Sequence, residues 1–586
     1  MAKSAYPWTN NINWGNVVNV MDHGAVNDGT ADNLDAFNAA ANALVSLGGG
    51  VLYFPAGTYY FSNDLLVQPN TVLRGDDPIG GQGNAKEESF ALPTRFEFPR
   101  YVFIEEGDGT PNQTAFKFIK LAQPDNSSNM GVVNIDINRA GIDFNAIDKE
   151  NVTGENFVFY GVRTNNVGKT TPNVPDASKG QHAYQRHCYR FTYNLLAYNA
   201  RNIIVANTRH NDNTTDNFSY SSYIVDDNGT PLDLTDGKAK FNFTDHYVME
   251  IGQGDGTCWG GTPATCPTNF REGNVIRDNW MFHTMRTAIY ARGMGLEIRD
   301  NIVRNQENKQ HWVHPVGVRL VSAGNTLENR AIDWSGWNVV VDGNDFMVRR
   351  HMMQDGPYFS VDGEGILLQE CCGGSTVNGL QITNNTGDGG YIGLYKVGDI
   401  NNAYIANNTL QHAPQMQADI WIWANTNSTE FKIVDTDVTN NDVAGTISYI
   451  GTAPGGTDND VIGNTGHGGE IQHSCAANVN ISGNTGFSIL ACDYKDFKSA
   501  NVDGAPLASN KGISIYPNPT AGLVNLDVEH WQQGIVHVYN VNGIRLANMQ
   551  TYGPALRVDL SQFGKGAFFV HVITEKETYK QTVIVN

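Results

Sequence analysis

An imperfect internal repeat between about residues 130 and 493 constrains the fold of this chain more than any other feature. Each unit is a short strand of alternating apolar residues that ends in Asn or Asp, followed by a second short strand, and units recur about every 20–30 residues. Examples are NIIVANTRH, NVVVDGNDF, NAYIANNTL and NVNISGNTG. One such unit cannot bury its own apolar face, so the units must stack into a solenoid.

The Asn residues that end the first strand of each unit are predicted to be structural. Asn tolerates a left-handed backbone, and its side chain can hydrogen-bond to the Asn of the next unit. We therefore expect a ladder of stacked amides along one corner of the solenoid. The predicted ladder residues are Asn301, Asn344, Asn385, Asn408, Asn464 and Asn484.

Charge and hydropathy argue against two classes of partner. The formal net charge of −21, from 60 acidic and 39 basic side chains, would repel nucleic acid and anionic membranes. The sequence has no apolar run of 18 residues, so no membrane-spanning segment is expected. The first residues, MAKSAYPWTNN, lack the basic and then apolar form of a signal peptide, and we expect a mature form with an added start.

Residues 16–75 predict a cap and the first coils of the solenoid. A short strand and a Gly/Asp turn precede a helical stretch, which the run GGG at 48–50 ends. The strands VLYFP, TYYFS and TVLRG follow. This passage resembles the N-terminal cap of the pectate-lyase-like superfamily, whose pattern is GAxxDGxxDxxxAxxxA and then GGGxVxFPxGxY. The resemblance implies a right-handed parallel β-helix of the pectin lyase fold, which hydrolases, lyases, epimerases and phage tailspikes share.

The repeat ends near residue 493, and a second domain is predicted after it. Residues 512–586 contain short alternating strands separated by NG, PNP and GKG turns, which predicts an antiparallel β-sandwich. They resemble the type A sorting domain of Bacteroidetes type IX secretion cargo in the phrases IYPNP, VYNVNGIRL and LSQFGKGAFFVHV. The resemblance implies export by the type IX secretion machinery, followed by release or attachment to the cell surface.

The predicted fold class is therefore all-β. Residues 1–493 are predicted to form a right-handed parallel β-helix with an N-terminal cap helix and long loop insertions. Residues 494–511 lack periodicity and are predicted to be a linker to the small sandwich at 512–586.

Four long excursions interrupt the repeat, at roughly 163–200, 211–245, 253–272 and 352–363. Long loops on a solenoid usually form walls over one face, where ligands bind. Disordered or purely structural insertions are the alternative.

Ionisable residues are concentrated between residues 283 and 396. Glycoside hydrolysis needs two carboxylates across a sugar, whereas β-elimination needs a base and a cation that neutralises the uronate. Three carboxylates occur together in SVDGEGILLQECCGG, and a histidine precedes them in HWVHP. The predicted catalytic residues are Asp362, Glu364, Glu370 and His314. Stabilising ion pairs at strand ends are the alternative interpretation.

Cations and aromatic rings complete the predicted site. Arg292, Arg319 and Lys396 are predicted to bind an anionic sugar, and alignment of GILLQE with YIGLYK puts Glu370 near Lys396 on the next coil. In GYIGLYK and DIWIWAN the aliphatic residues share one parity, so the aromatic residues should point outward and offer a platform for sugar faces. Coverage by a loop, or stacking of the rings on each other, is the alternative. The platform residues are Tyr391, Tyr395, Trp421 and Trp423.

No cofactor is predicted. The sequence contains no RTX-like nonapeptide and no EF-hand loop, so calcium has no support from a motif. Seven cysteines are too few for a disulfide scaffold, and an odd number leaves at least one unpaired in a monomer. Cys258 and Cys266 bracket a Gly/Pro-rich loop, and we expect a disulfide or free thiols there rather than a zinc site.

The sequence thus predicts a secreted or outer-surface-attached protein that binds and cleaves a polysaccharide, with hydrolysis favoured over elimination by a lyase. A non-catalytic surface adhesin or filament subunit on the same solenoid is the alternative. A polysaccharide epimerase is a third hypothesis. The sequence does not identify the sugar.

Overall fold

The structure is a computed structural model. It describes residues 6–99, 117–124, 127–146, 154–165, 167, 192–198, 200–211, 246–252, 273–282, 287–292, 295–304, 329–335, 338–347, 363–369, 377–388, 391–411, 419–426, 429–492, 513–516, 520, 522–528, 533–540, 545–552, 555–574 and 578–585. These residues divide into two units. The larger runs through residues 1–351 and 360–492, and the described strands of the smaller lie between 513 and 585.

The larger unit is a right-handed parallel β-helix with three faces. Each coil adds one strand to a first, a second and then a third sheet, and neighbouring coils pair in parallel along each face. This confirms the predicted solenoid. The described strands of the first sheet are Val17–Asn19, Gly50–Phe54, Thr71–Gly75, Ser128–Val133, Gly154–Tyr160, Ala200–Ala206, Val275–Arg277, Glu297–Arg299, Val340–Asp342, Val377–Thr383, Ile400–Ala406, Ile433–Thr439, Thr457–Ile462 and Val479–Ser482.

The second and third sheets follow the same order along the chain. The second-sheet strands are Asp28–Asp32, Gly57–Tyr60, Thr94–Glu97, Asp136–Asn138, Arg163–Asn165, Arg209–Asn211, Trp280–Phe282, Ile302–Arg304, Asp345–Met347, Thr386–Asp388, Thr409–Gln411, Asp442–Val443, Thr465–His473 and Thr485–Ile489. The third-sheet strands are Leu65–Val67, Lys117–Leu121, Ala140–Asp143, Thr192–Ala197, His246–Ile251, Thr287–Arg292, Asn329–Ser335, Gly363–Gln369, Ile392–Val397, Ile420–Thr426 and Ile447–Gly451. Thr465–His473 also pairs with Ile447–Gly451, so it continues into the third sheet. A two-residue strand, Thr429–Glu430, pairs antiparallel with the end of Ile420–Thr426.

The interior of the β-helix is one continuous apolar cluster. Alternate residues of each strand point inward, so one side chain stacks above another from coil to coil. In the first coils the stack is aromatic: Phe54 contacts Tyr59 and Phe96 with ring centroids 5.3 and 4.7 Å apart. The α-helix Leu34–Ser46 closes this end and buries Phe37, Ala41 and Leu44, as predicted.

Two residues form each corner between the first and second sheets along most of the β-helix. The first has a left-handed backbone, as at Asp300 (φ 53°) and Asn384 (φ 55°), and the second is the ladder Asn. The expectation that the ladder Asn itself is left-handed is wrong, because the preceding residue makes the turn and directs the Asn side chain inward. The ladder is otherwise confirmed and longer than predicted, since each Nδ2 donates to the next Oδ1 over 2.9 Å. Its members are Asn279, Asn301, Asn344, Asn385, Asn408, Asn441, Asn464 and Asn484.

The ladder continues into a buried polar chain toward the N-terminus. Thr208 Oγ1 donates to Asn279 Oδ1 over 2.7 Å, and His210 Nε2 lies 2.8 Å from Thr208 Oγ1. His210 Nδ1 lies 2.7 Å from Thr164 Oγ1, which accepts from Asn194 Nδ2 over 2.8 Å. Burial lowers the pKa of His210 to about 3, so the ring is neutral at physiological pH.

The N-terminal segment covers the beginning of the first sheet on its outer side. It contains the 3-10 helix Pro7–Asn11. Ile12 is buried against Val72, Val133 and Val158, with two tryptophans packed around this cluster. A second 3-10 helix, Val20–His23, precedes the cap helix.

The last coils carry a disulfide between Cys475 and Cys492. Cys475 lies in the 3-10 helix Cys475–Ala477. The sequence analysis did not identify this pair, and the predicted pair Cys258 and Cys266 lies outside the described residues, as does the predicted linker 494–511.

The smaller unit contains two antiparallel sheets, consistent with the predicted sandwich. One is formed by Ile513–Tyr516, Leu523–Val528 and Ala555–Asp559, and the other by Gln533–Asn540, Arg545–Tyr552, Gly566–Thr574 and Thr578–Val585. Its apolar core includes Val524, Val538 and Val570. The 3-10 helix Ser561–Phe563 precedes the strand that starts at Gly566.

Candidate functional site

The four long excursions of the sequence all lead into or out of the third sheet. Segment 166–191 precedes Thr192–Ala197, and segment 212–245 precedes His246–Ile251, which segment 253–272 follows. Segment 348–362 precedes Gly363–Gln369. Apart from Val167, these segments lie outside the described residues. Since long connections carry binding sites more often than short ones do, the outer face of the third sheet is the candidate functional site.

A row of polar side chains crosses this face. The residues before them in sequence lie in the apolar core, at Ile119, Ile142, Leu195, Met249 and Ile289. Successive side chains of a strand point to opposite faces, so the next residue of each strand points outward. The strand register aligns these outward positions in one row of Lys120, Asp143, Leu196, Glu250 and Tyr290.

Asp143 and Glu250 are separated by the single strand that carries Leu196. Two strand spacings put their backbones about 9–10 Å apart. Glu250 is 6% exposed and Leu196 is 8% exposed, so this part of the row is shielded from solvent. The row therefore carries two carboxyl groups on alternate strands of one face, with the side chain of Leu196 between them.

Burial raises the pKa of Asp143. The N–H of Asn145, which donates to Asp143 Oδ1 over 3.2 Å, and the ammonium group of Lys120 both act in the opposite direction. Lys120 Nζ also forms an ion pair with Asp64 over 2.9 Å. Asp143 thus has a raised pKa, as a general acid requires, while Lys120 on the neighbouring strand limits the rise.

A second carboxyl group with a raised pKa lies further along the same sheet. Asp419 directly precedes Ile420–Thr426, and burial raises its pKa to about 6 although the N–H of Gly445 donates to Oδ2. Asp419 Oδ1 is buried and accepts no hydrogen bond from the described residues. The sequence analysis missed Asp419, because nothing in its neighbourhood along the chain distinguishes it from a turn residue.

The predicted aromatic platform is only partly found. Ile392, Leu394, Ile420 and Ile422 lie in the core, so the parity that the sequence predicted is confirmed. The aromatic residues are buried rather than exposed, each with 4% exposure at Tyr391, Trp421 and Trp423. The rings of Trp421 and Trp423 meet edge to face with centroids 4.5 Å apart, and Trp423 Nε1 donates to Ser448 Oγ over 3.0 Å. The expectation of open rings is therefore wrong at these three positions, because the side chains are covered and packed on each other.

Some of the other predicted site residues lie outside the described residues. For the rest, the structure describes the backbone but not the side chain. Asp362, Glu370, His314 and Arg319 lie outside the described residues. The backbones of Arg292, Glu364, Tyr395 and Lys396 lie in third-sheet strands. Gln369 pairs with Tyr395, which agrees with the alignment that puts Glu370 near Lys396. The fold thus brings predicted residues from four strands to one sheet, while their catalytic and binding roles stay predictions.

An ion-pair cluster occupies the second sheet. Glu97 pairs with Arg139 and with Arg95, and Asn138 Nδ2 donates to its oxygens over 2.8 and 3.0 Å. Burial raises the pKa of the neighbouring Asp136, although nearby arginines oppose the shift. Because the cations already compensate these carboxylates, we interpret the cluster as stabilising the outer surface of the solenoid.

Among the described residues, no group of three or more His, Cys, Asp and Glu side chains is arranged to hold a metal ion. No helix in the described part of the chain is long and apolar enough to cross a membrane.

Two family models match the sequence. A model described as rhamnogalacturonase A/epimerase, pectate lyase-like, matches residues 17–311. A model described as a secretion system C-terminal sorting domain matches residues 514–586. No curated protein matches the chain.

Solved structures with similarity to the chain include an adhesin, an epimerase and a tailspike. The Streptococcus pneumoniae surface adhesin PfbA is 12% identical, with coverage of 81% of this chain and 98% of that chain and a TM-score of 0.40. The A-module of an Azotobacter vinelandii mannuronan C-5 epimerase is 14% identical, with coverage of 81% and 100% and a TM-score of 0.31. A tailspike protein of an E. coli bacteriophage is 13% identical, with coverage of 97% and 92% and a TM-score of 0.36.

Proposed function

The chain belongs to the pectate-lyase-like family described as rhamnogalacturonase A/epimerase, and from this membership we propose that it hydrolyses a polysaccharide outside the cell. It is a secreted pectate-lyase-like β-helix protein, and its C-terminal sorting domain implies transport by the type IX secretion machinery. The polysaccharide and the hydrolytic reaction are the proposed part. The observation that supports them is the pair of carboxyl groups, Asp143 and Glu250, on the outer face of the third sheet.

In the proposed mechanism Asp143 is the general acid. Its raised pKa keeps a larger fraction protonated, so it can deliver a proton to the leaving glycosidic oxygen. Glu250 is the general base and activates a water molecule on the opposite side of the sugar. A separation of about 6.5–9.5 Å between the carboxyl groups is typical of hydrolysis with inversion. Inversion is the proposed outcome, because the two residues are two strands apart rather than on adjacent strands.

The catalytic residues predicted from the sequence remain an alternative proposal. Glu364 lies in Gly363–Gln369, and Asp362, Glu370 and His314 would act with it in place of Asp143 and Glu250. Arg292, Arg319 and Lys396 are proposed to bind an anionic group of the substrate in either case. Tyr395 is proposed to contact the polysaccharide, whereas the covered rings of Tyr391, Trp421 and Trp423 are proposed to stabilise the sheet that carries the site.

The reaction class is tested by incubation of the full chain with plant and algal polysaccharides, including pectic ones. Hydrolysis predicts new reducing ends without unsaturated uronate, and inverted anomeric configuration in the first product seen by NMR. Unsaturated products would show that the chain cleaves by elimination and would contradict hydrolysis. Altered sugar stereochemistry without scission would indicate an epimerase, and polysaccharide binding without any product would favour a non-catalytic adhesin.

The catalytic pair is tested by conservative amide substitutions. We expect Asp143→Asn and Glu250→Gln each to lower kcat by about 100-fold or more, since general acid–base catalysis contributes about 10²–10⁴-fold. Glu155→Gln is the matched control, because Glu155 lies on the first sheet in an exposed ion pair with Arg201. If only Glu364→Gln and Glu370→Gln abolish turnover, the pair predicted from the sequence is catalytic and the assignment to Asp143 and Glu250 is wrong.

A further inference from the structure

A cleft on the outer side of the first sheet has no part in the proposed reaction. We call it the first-sheet cleft, with a volume of about 440 Å³. Small-molecule sites typically measure about 300–1,000 Å³, so the volume suits a small ligand. Its floor is formed by outward residues of two neighbouring strands, Gly154–Tyr160 and Ala200–Ala206.

The floor of the first-sheet cleft is apolar and partly aromatic. Phe157, Phe159, Ile203 and Val205 lie in the core, so the alternate residues face the cleft. These are Val158, Tyr160, Ile204 and Ala206. The N-terminal segment, which covers the preceding coils, forms one wall with Tyr6 and Thr9.

The opposite end of the cleft is polar and carries two cations and one carboxylate. Lys86 comes from the segment between the strands Thr71–Gly75 and Thr94–Glu97, and its Nζ lies 2.9 Å from Asp278 Oδ1. Arg277 Nε lies 2.8 Å from Asp278 Oδ2. Both oxygens of the single carboxylate are therefore occupied, and the end of the cleft keeps a local charge of +1.

Hydrogen bonds hold Lys86 in place and leave it donor capacity. Ala85 N donates to Asn207 Oδ1, and Asn207 Nδ2 donates back to Gly83 O, each over 2.8 Å. Lys86 Nζ donates to Asp278 and to Asp300 O, the latter over 3.1 Å. An ammonium group has three N–H donors, so one remains for a ligand.

Arg277 also keeps donor capacity toward the cleft. The hydrogen bonds to Asp278 and Tyr6 raise its pKa, so the guanidinium stays charged. Its side chain is 42% exposed and lines the cleft. A guanidinium group has five N–H donors in a planar arrangement that matches a carboxylate.

We propose that the first-sheet cleft is a second carbohydrate-binding site, which holds a uronic-acid residue of a polysaccharide without cleaving it. The carboxylate of the sugar binds Lys86 and Arg277, and an apolar ring face lies on Tyr160. The carboxylate of the sugar matches the local positive charge, and the ring hydroxyl groups lie near the polar side chains of Asn84 and Asn207, which line the same cleft. This site lies on a different sheet from Asp143 and Glu250, so it binds whether or not those residues catalyse hydrolysis.

The test is isothermal titration calorimetry of the full chain with a short oligogalacturonide and with the matched neutral galacto-oligosaccharide. The titrations use the Glu250→Gln variant, so that the heat of hydrolysis does not add to the heat of binding. We expect binding of the acidic oligosaccharide and at least about tenfold weaker binding of the neutral one, because about 1.4 kcal/mol of lost interaction is tenfold in affinity. Lys86→Met and Tyr160→Ala should each weaken binding of the acidic oligosaccharide by a similar factor.

Two controls distinguish this site from the third sheet and from unfolding. Arg201→Met removes a cation of the same sheet that does not line the cleft, and it should leave affinity unchanged. Tyr160→Phe keeps the ring and should retain most of the binding even if Tyr160→Ala destabilises the chain. Absence of binding, or binding that Lys86→Met leaves intact and Lys120→Met abolishes, overturns the proposal. Neither result bears on hydrolysis, which reducing-end release measures separately.

Discussion

His210 Nδ1 lies 2.7 Å from Thr164 Oγ1 inside the solenoid, and this contact determines the direction of a long hydrogen-bonded chain. Thr208 Oγ1 donates its proton to Asn279 Oδ1, so it must accept from His210 Nε2. The imidazole proton therefore lies on Nε2, and Nδ1 accepts from Thr164, which accepts from Asn194. Every donor from Asn194 to the end of the ladder thus points the same way.

The first prediction concerns acid stability. The pKa of His210 is about 3 in the folded chain against 6.5 for the free side chain, so between these values only the unfolded chain binds the proton. The free energy of unfolding should fall as the pH falls through this window, by up to about 1.4 kcal/mol per pH unit. In denaturant titrations at several pH values, the free energy of unfolding of His210→Gln should change less per pH unit than that of the parent chain. An equal dependence on pH in His210→Gln and in the parent chain would contradict this expectation.

The second prediction concerns the ladder. Asn344 Nδ2 donates to Asn385 Oδ1 and Ile298 O, and its Oδ1 accepts from Asn301 Nδ2. Asn344→Ala leaves these buried groups without partners, and each orphaned group costs about 1–3 kcal/mol. We expect a loss of at least about 2 kcal/mol in the free energy of unfolding. Asn480→Ala removes one exposed hydrogen bond and should change it by less than about 0.5 kcal/mol. Similar losses in both variants would show that the ladder has no special stabilising role.

The third prediction concerns the pH dependence of the proposed hydrolysis. Lys120 opposes the rise in the pKa of Asp143, so Lys120→Met should raise that pKa further. A general acid is active while protonated, and the alkaline limb of kcat/KM should therefore move to higher pH. Lys117→Met, on the same strand, is the control, because Lys117 contacts Asn63. A shift to lower pH, or an equal shift in the control, would exclude Asp143 as the acid.

The fourth prediction concerns Asp419. Its pKa of about 6 in the folded chain lies above the ordinary 3.8, so the folded state loses stability as the pH rises through about 6. Asp419→Asn keeps an acceptor for Gly445 N–H and removes the charge. It should raise the free energy of unfolding at about pH 8 by roughly 2–3 kcal/mol and give no gain below about pH 4. A gain in Asp419→Asn at pH 4 as large as at pH 8 would count against the interpretation.

The fold could be predicted because its determinants repeat along the chain. An Asn such as Asn385 recurs at the same point of each unit, and alternation around Ile420 and Ile422 identifies the inward face without knowledge of the neighbours. Asn441 was left out of the predicted ladder, although it follows Thr439 and Asn440 just as Asn385 follows Thr383 and Asn384. The left-handed backbone was assigned to the wrong residue of each corner for a local reason. Asn occurs at both corner positions, as in Asn384 and Asn385, so the residue type alone does not show which of the two is left-handed.

The candidate site could be predicted much less well. Asp143 and Glu250 are more than one hundred residues apart in sequence and become near neighbours only through strand register. The pKa of Asp419 depends on burial, which no local pattern reveals. The burial of Trp421 likewise depends on contacts beyond its own strand. The alternation of residues along the strand therefore predicted the direction of its side chain correctly, but not its exposure.

The end of the β-helix has a consequence for association between molecules. Ile489 is 56% exposed and Leu490 is 39% exposed on the last coil, where no further strand of the solenoid pairs with the described backbone. Such an edge can template the addition of a strand from another chain. The bond from Cys475 to Cys492 ties the residues just past this edge back to the preceding coil. The oxidising surroundings that a secreted chain meets would then protect it against end-to-end polymerisation, and a reducing environment would remove that protection without unwinding the coils beneath.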